Sequence, residues 1–247
     1  MSESGLTDLS NGFPWLGEED SYTFPDADDA TPDGILGVGG NLSPGMLLSA
    51  YRQGVFPWYS EGDPLLWWCP DPRFVLFLDK VHVSRSLKRS LRADRFRVTL
   101  DQAFGDVIHN CATQPRAGQD GTWITAEMEE AYVRLHDLGY AHSCESWHGE
   151  VLVGGIYGVS LGHIFFGESM FSLTSDASKV ALVALARTLR PLGFEMIDAQ
   201  VHTRHVESMG GTEIDRSTFL SRLCAAMEHE TLRGNWSEQI GQPTVDQ

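Results

Sequence analysis

The chain has 247 residues, 42% hydrophobic and 10% aromatic, with 34 acidic against 18 basic side chains and a net charge of −16. That length supports one large domain or two small ones; no run of about 18 apolar residues could span a bilayer, and the N-terminus has neither the basic nor the apolar stretch of a secretory signal. The cysteines Cys69, Cys111, Cys144 and Cys224 lack CxxC spacing, which points to reduced thiols in a cytoplasmic protein rather than a disulfide framework or zinc site.

Residues 1–33 hold nine acids, no Lys or Arg, and isolated aromatics (Phe13, Trp15, Tyr22, Phe24), a composition that predicts an acidic, flexible arm. The Gly- and Pro-rich TPDGILGVGGNLSP predicts a loop. Ser43 then caps a helix to about Gln53, with Pro44 at its first position. The next twenty residues, dense in Pro and Trp, form an ordered irregular segment. A strand over 74–78, a helix over 84–93, a short strand over 98–100 and a helix over 102–111 follow. GTWITAEMEEAYVRLHDLG is a loop and an amphipathic helix closed by Gly139. Strand-like runs over 141–147, 151–159 and 163–171, joined by HGE and SLG turns, make an antiparallel meander. A helix over 176–192, a strand over 194–201, a short helix over 204–209 and a helix over 219–229 complete the chain, with a flexible tail over 230–247. The order is α+β, with a mixed, mainly antiparallel sheet. It divides into a small N-terminal domain over 34–73 and a larger domain over 74–229.

Two blocks carry chemistry. GESMFSLTSDASK (167–179) ends a strand with Glu168 and enters a helix. Asp198 and Gln200 lie two apart in the apolar run FEMIDAQV, hence on one face of a strand. A carboxylate beside an amide offers the acceptor and donor that acyl transfer needs, and Asp198 among apolar neighbours is costly unless used or paired. Ser169 lacks the second glycine of a nucleophile elbow, the nine histidines show no ligand spacing, and GILGVGGN has no Walker ending. Arg85, Lys88, Arg89 and Arg92 recur at i, i+3, i+4 and i+7, one basic helical stripe opposite Leu87 and Leu91. Trp58 and Trp123 sit in Gly/Pro-rich loops, where an indole can stack on a base, whereas Trp67 and Trp68 fit a core.

These blocks, with GVFPWYSEGDPLLWWCPDPR (54–73), GTWIT (121–125) and LVGGIYGV (152–159), resemble the leucyl/phenylalanyl-tRNA–protein transferases over about Gly34 to Leu223. The resemblance implies an enzyme that moves Leu or Phe, with Met as a third candidate, from aminoacyl-tRNA to the N-terminal α-amine of proteins beginning with Arg or Lys, marking them for N-end-rule degradation. It implies no cofactor, no metal and no membrane partner. Asp198, Gln200 and Glu168 become the catalytic group: Asp198 as base or orienter, Gln200 bridging it and the substrate, and Glu168 holding the incoming amino groups. Ile156, Gly158, Phe165, Phe166, Gly167, Leu182 and Leu185 become the aminoacyl side-chain pocket; the family commonly has Met where β-branched, stiffer Ile156 stands. Trp58 and Trp123 would hold the terminal adenosine, and Arg85, Lys88, Arg89 and Arg92 the acceptor stem. The meander–helix–strand–helix order resembles the acetyltransferase-like (GNAT) fold, in which an acyl donor meets an amine in a V-shaped gap between strands. An acetyl-CoA-dependent N-acetyltransferase of that fold is one rival, disfavoured because SLTSDASK lacks the glycines of a pyrophosphate loop. A non-catalytic tRNA- or peptide-binding module is the other.

Overall fold

Short apolar runs between glycines build a first small sheet. The computed structural model describes residues 7–9, 13–93, 95–114 and 124–243. Within it, Ile35, Leu36 and Val38 form a strand, β2 (Ile35–Gly39), where a loop was expected, flanked by Gly34, Gly39 and Gly40 at φ 97°, 87° and 83°. The glycines that signal loop are the turn residues at its ends. β2 pairs in parallel with β1 (Thr7–Leu9) and antiparallel with β4 (Leu66–Trp68), which also pairs with β3 (Phe56–Pro57). α1 (Pro44–Arg52) runs as expected, with Ser43 at the cap position but making no side-chain capping bond, and it buries Met46, Leu47, Leu48 and Tyr51.

Part of the acidic segment expected to be a flexible arm is docked through Tyr22 and Phe24, whereas Trp15 stays exposed. Tyr22 and Phe24 meet edge-on at 4.9 Å, and Phe24 packs on Trp67 at 5.1 Å. The Gln53 side chain accepts from Phe24 N at 3.0 Å and donates to Tyr22 O at 2.8 Å. Burying these rings offsets the entropy that the acidic composition alone suggested would win.

The larger sheet holds β5 (Arg73–Phe77), β6 (Arg97–Leu100), β7 (Ala141–His148), β8 (Val151–Leu161), β9 (Ile164–Ser172), β10 (Met196–Asp198) and β11 (Thr212–Ile214), in the order β11-β5-β10-β9-β8-β7-β6. β9 and β10 are parallel and every other pair is antiparallel. The helices are α2 (Arg85–Arg92), α3 (Phe104–Thr113), α4 (Ala126–Asp137), α5 (Ala177–Leu189), α6 (Arg204–Glu207), α7 (Arg216–Met227) and α8 (Trp236–Gln239). Side-chain alternation along β9 sends Phe165 into the core shared with α5 and Phe166 into the core shared with α1, α3 and α4.

Two further expectations are corrected. The tail expected to be flexible holds a short helix, in which Trp236 is fully buried, stacks on His142 at 3.8 Å, and donates its backbone N–H to Asp101 Oδ2 at 2.8 Å. One large aromatic surface in a polar tail suffices to anchor it. The strand expected over 194–201 is ordered as strand only over 196–198, and Gln200 adopts φ 57°. β9 and β10 pair from Ile164↔Met196 to Phe166↔Asp198 and then part. The gap beyond that last pair positions the site.

Candidate active site

Asp198 sits at the point of parting, fully buried. Its Oδ1 accepts from Arg73 Nε at 2.9 Å and its Oδ2 from Arg73 Nη2 at 2.6 Å. This bidentate pair gives the buried carboxylate a counter-charge and two hydrogen bonds, without which its burial would be costly. The guanidinium lies against the Phe56 ring at 4.8 Å and the Phe219 ring at 4.4 Å, so it joins the small sheet, the large sheet and α7. Asp198 Oδ1 also accepts from Gln200 N at 3.0 Å. Asp198 and Gln200 are therefore coupled by a side-chain-to-backbone turn that holds Gln200 left-handed, and not by sharing a strand face. The turn aims the amide at Glu168, whose Oε1 accepts from Gln200 Nε2 at 2.9 Å.

Glu168 is held from its other side by Tyr132 of α4, whose hydroxyl donates to Oε2 at 2.9 Å; the Tyr132 hydroxyl is in turn bonded to that of Tyr51 from α1. Burial pushes the Glu168 carboxyl up from 4.5 to about 7, with the Asp198 charge adding to the rise while the hydroxyls of Tyr51 and Tyr132 and the Arg73 charge oppose it. Burial, then the Glu168 charge, drives both tyrosines well above their ordinary value, so they stay neutral donors. Arg73, Tyr51 and Tyr132 were not singled out from the sequence. The signal for Tyr132 was its place on the buried stripe of α4 with Met128 and Leu135, since a hydroxyl there needs a partner.

A cavity of about 710 Å³ opens over this group, lined by Glu168 and Gln200 but not by Asp198. Of the expected side-chain pocket, Ile156, Gly167 and Leu182 line it, joined by Leu76 and Ile197. Gly167 permits the close approach of Ile197, whose Cγ2 would lie 3.0 Å from an added Cβ. Phe165 and Leu185 lie in the core behind, Phe166 packs on Tyr51 at 4.9 Å on the opposite face, and Gly158 occupies a register shift against β9. Trp58 lines the cavity, half-buried, 5.4 Å from Trp68, whose Nε1 donates to Trp58 O at 2.6 Å. Trp67 is core, as expected. Trp123 lies outside the described residues. Among those described, no three His, Cys, Asp or Glu side chains cluster as a metal site.

The basic stripe is as expected on α2. Ser84 caps it, accepting from Leu87 N at 3.2 Å; Leu87 and Leu91 are buried, and Arg85, Lys88, Arg89 and Arg92 are exposed. None of the four has a carboxylate partner among the described residues.

A family model described as leucyl/phenylalanyl-tRNA protein transferase matches residues 75–224, and the model of that family's N-terminal domain matches 40–71. The chain belongs to this family. It is 56% identical over 219 residues to the leucyl/phenylalanyl-tRNA–protein transferase of Anaeromyxobacter sp. (strain Fw109-5), covering 89% of this chain and 93% of the relative. It is 56% identical to that of Syntrophus aciditrophicus (87% and 90% covered) and 52% identical to that of Myxococcus xanthus (90% and 95% covered). Membership makes the chain an aminoacyltransferase, an enzyme rather than a binding module. No helix among the described residues is long and apolar enough to cross a membrane.

Proposed function

We propose that the protein transfers Leu or Phe, with Met as a third donor, from aminoacyl-tRNA to the N-terminal α-amine of proteins beginning with Arg or Lys, without a cofactor, in the cytoplasm, and so marks them for N-end-rule degradation. The observation that carries this reading is the Glu168–Gln200 pair at the floor of an apolar cavity where β9 and β10 part. Residues 34–73 act as the small N-terminal domain that supplies Trp58, and residues 74–229 as an acetyltransferase-like domain.

In this reading the aminoacyl side chain lies against Ile156, Gly167, Leu182 and Ile197, and the terminal adenosine lies on Trp58. The acceptor amine attacks the ester carbonyl carbon; a C–N bond forms and the proton shed by nitrogen passes to Glu168. A carboxyl near 7 suits an α-ammonium that titrates near 8. The second N–H of the Gln200 amide faces the developing oxyanion. The bond to the ribose oxygen then breaks, and that oxygen takes the proton back from Glu168. Asp198 acts as a positioning residue: paired to Arg73 and away from the cavity, it fixes Gln200 through its backbone. The ester is already activated, so no ATP enters. An acetyl-CoA donor is disfavoured by the glycine-free SLTSDASK that leads into α5. Incubating the protein with leucyl-tRNA or acetyl-CoA and an Arg-initiated peptide tests the reading; modification from acetyl-CoA alone contradicts it.

A further inference from the structure

The cavity is polarised. Among its described lining residues Glu168 is the single carboxylate and Arg204 the single permanent cation. Arg204 opens α6, is exposed, and has no carboxylate partner among the described residues. Lys179, in the first turn of α5, reaches α6: its Nζ lies 3.5 Å from Ser208 Oγ, and it too lacks a carboxylate partner among these residues. His205, beside Arg204 in the lining, is held below the ordinary histidine value by burial and then by the Lys179 charge.

The same edge continues to the basic stripe. α2 packs on α5, and Ser90 of α2 donates to Asp176 Oδ2 at 2.7 Å, occupying the carboxylate that precedes α5. His82 N, on the approach to α2, donates to Met209 O at 2.7 Å, just past α6. Arg204 in the cavity lining, Lys179 beside Ser208 and the stripe of Arg85, Lys88, Arg89 and Arg92 thus lie on neighbouring elements, on a chain whose net charge is −16.

We infer that Arg204 and Lys179 form a phosphate-binding edge of the cavity, which takes the phosphodiester backbone of the single-stranded 3′ end of the donor RNA. This rests on the aminoacyl-tRNA reading. An ester on a terminal nucleoside of a polynucleotide carries a phosphodiester one nucleoside away, and that anion must leave the cavity along some wall. The Glu168 end repels it and the Arg204 end attracts it. Contacts to backbone phosphate position the strand without reading its sequence.

The test uses the full chain and three donors: leucyl-tRNA, leucyl-cytidylyl-adenosine with one phosphodiester, and 3′-leucyl-adenosine with none. Arg204→Gln with Lys179→Gln raises KM for the two phosphate-bearing donors roughly tenfold relative to leucyl-adenosine, since a charge-assisted bond is lost, and flattens the salt dependence of that KM. An equal change for all three donors, a change confined to the acceptor peptide's KM, or no change overturns the edge. A wild-type protein that transfers from none of the three overturns the aminoacyl-tRNA reading with it.

Discussion

Glu168→Gln separates the charge of the cavity's carboxylate from its shape. Raising this carboxyl from 4.5 to about 7 means that its ionised form is disfavoured in the site by about 3 kcal/mol relative to water. The sign follows from the raised value: the stability tied to protonated Glu168 is fully present below about 4.5 and is lost as pH rises through about 7. Wild-type stability, measured by denaturant unfolding against pH, should fall over that window, whereas Glu168→Gln should not, leaving the variant up to about 3 kcal/mol more stable at pH 8. Catalysis should move oppositely. Wild-type kcat/KM should rise with a midpoint near 7 as the carboxylate becomes able to accept the amine's proton. The variant should lose that inflection and about 10²–10⁴-fold in rate, the usual span for a positioned base. Removal of the cavity's carboxylate should also narrow the preference for Arg- over Ala-initiated peptides by about tenfold to a hundredfold, with leucyl-tRNA affinity little changed. A variant with the wild-type pH profile, rate and peptide preference refutes the role given to Glu168.

Asp198→Ala should leave Arg73 buried without its partner, costing about 3–5 kcal/mol of stability and lowering turnover by orders of magnitude while tRNA binding stays near wild type; a variant with unchanged melting and transfer rate contradicts this. Trp58→Ala should weaken binding of a non-hydrolysable leucyl-adenosine analogue by the worth of one stacked base, about 1–3 kcal/mol, read by calorimetry; unchanged affinity places the adenosine elsewhere. Neutralising Arg85, Lys88, Arg89 and Arg92 should weaken every charged tRNA alike and reduce the slope of log affinity against log salt by about one for each side chain; an unchanged slope makes the stripe a solvated helix face.

The meander and α1 to α5 were legible because their signals are local: Pro44 behind Ser43, the Gly139 stop, and two-residue alternation between short turns. β2 and α8 were not, since the glycines around Ile35–Val38 read as loop and Trp236 is anchored largely by residues distant in sequence, among them His142, Asp101 and Phe165. The site divides the same way. Glu168, Asp198 and Gln200 stood out as polar residues in apolar runs, and they do converge. Their mutual geometry did not show, because it depends on Arg73, 125 positions from Asp198, and on hydroxyls from α1 and α4. The large residues Phe165, Phe166 and Leu185 could not be sorted into lining and core from sequence, since both environments select apolar side chains.

The most direct measurement is a single-turnover reaction of the purified protein with tRNA charged with labelled leucine and an Arg-initiated peptide, without ATP or metal. Formation of a leucyl–arginyl peptide bond in step with release of uncharged tRNA, absent when the peptide's α-amine is acetylated, is the result predicted. Free leucine as the only product, or a peptide left unmodified by leucyl-tRNA yet acetylated when acetyl-CoA is supplied instead, would contradict the account.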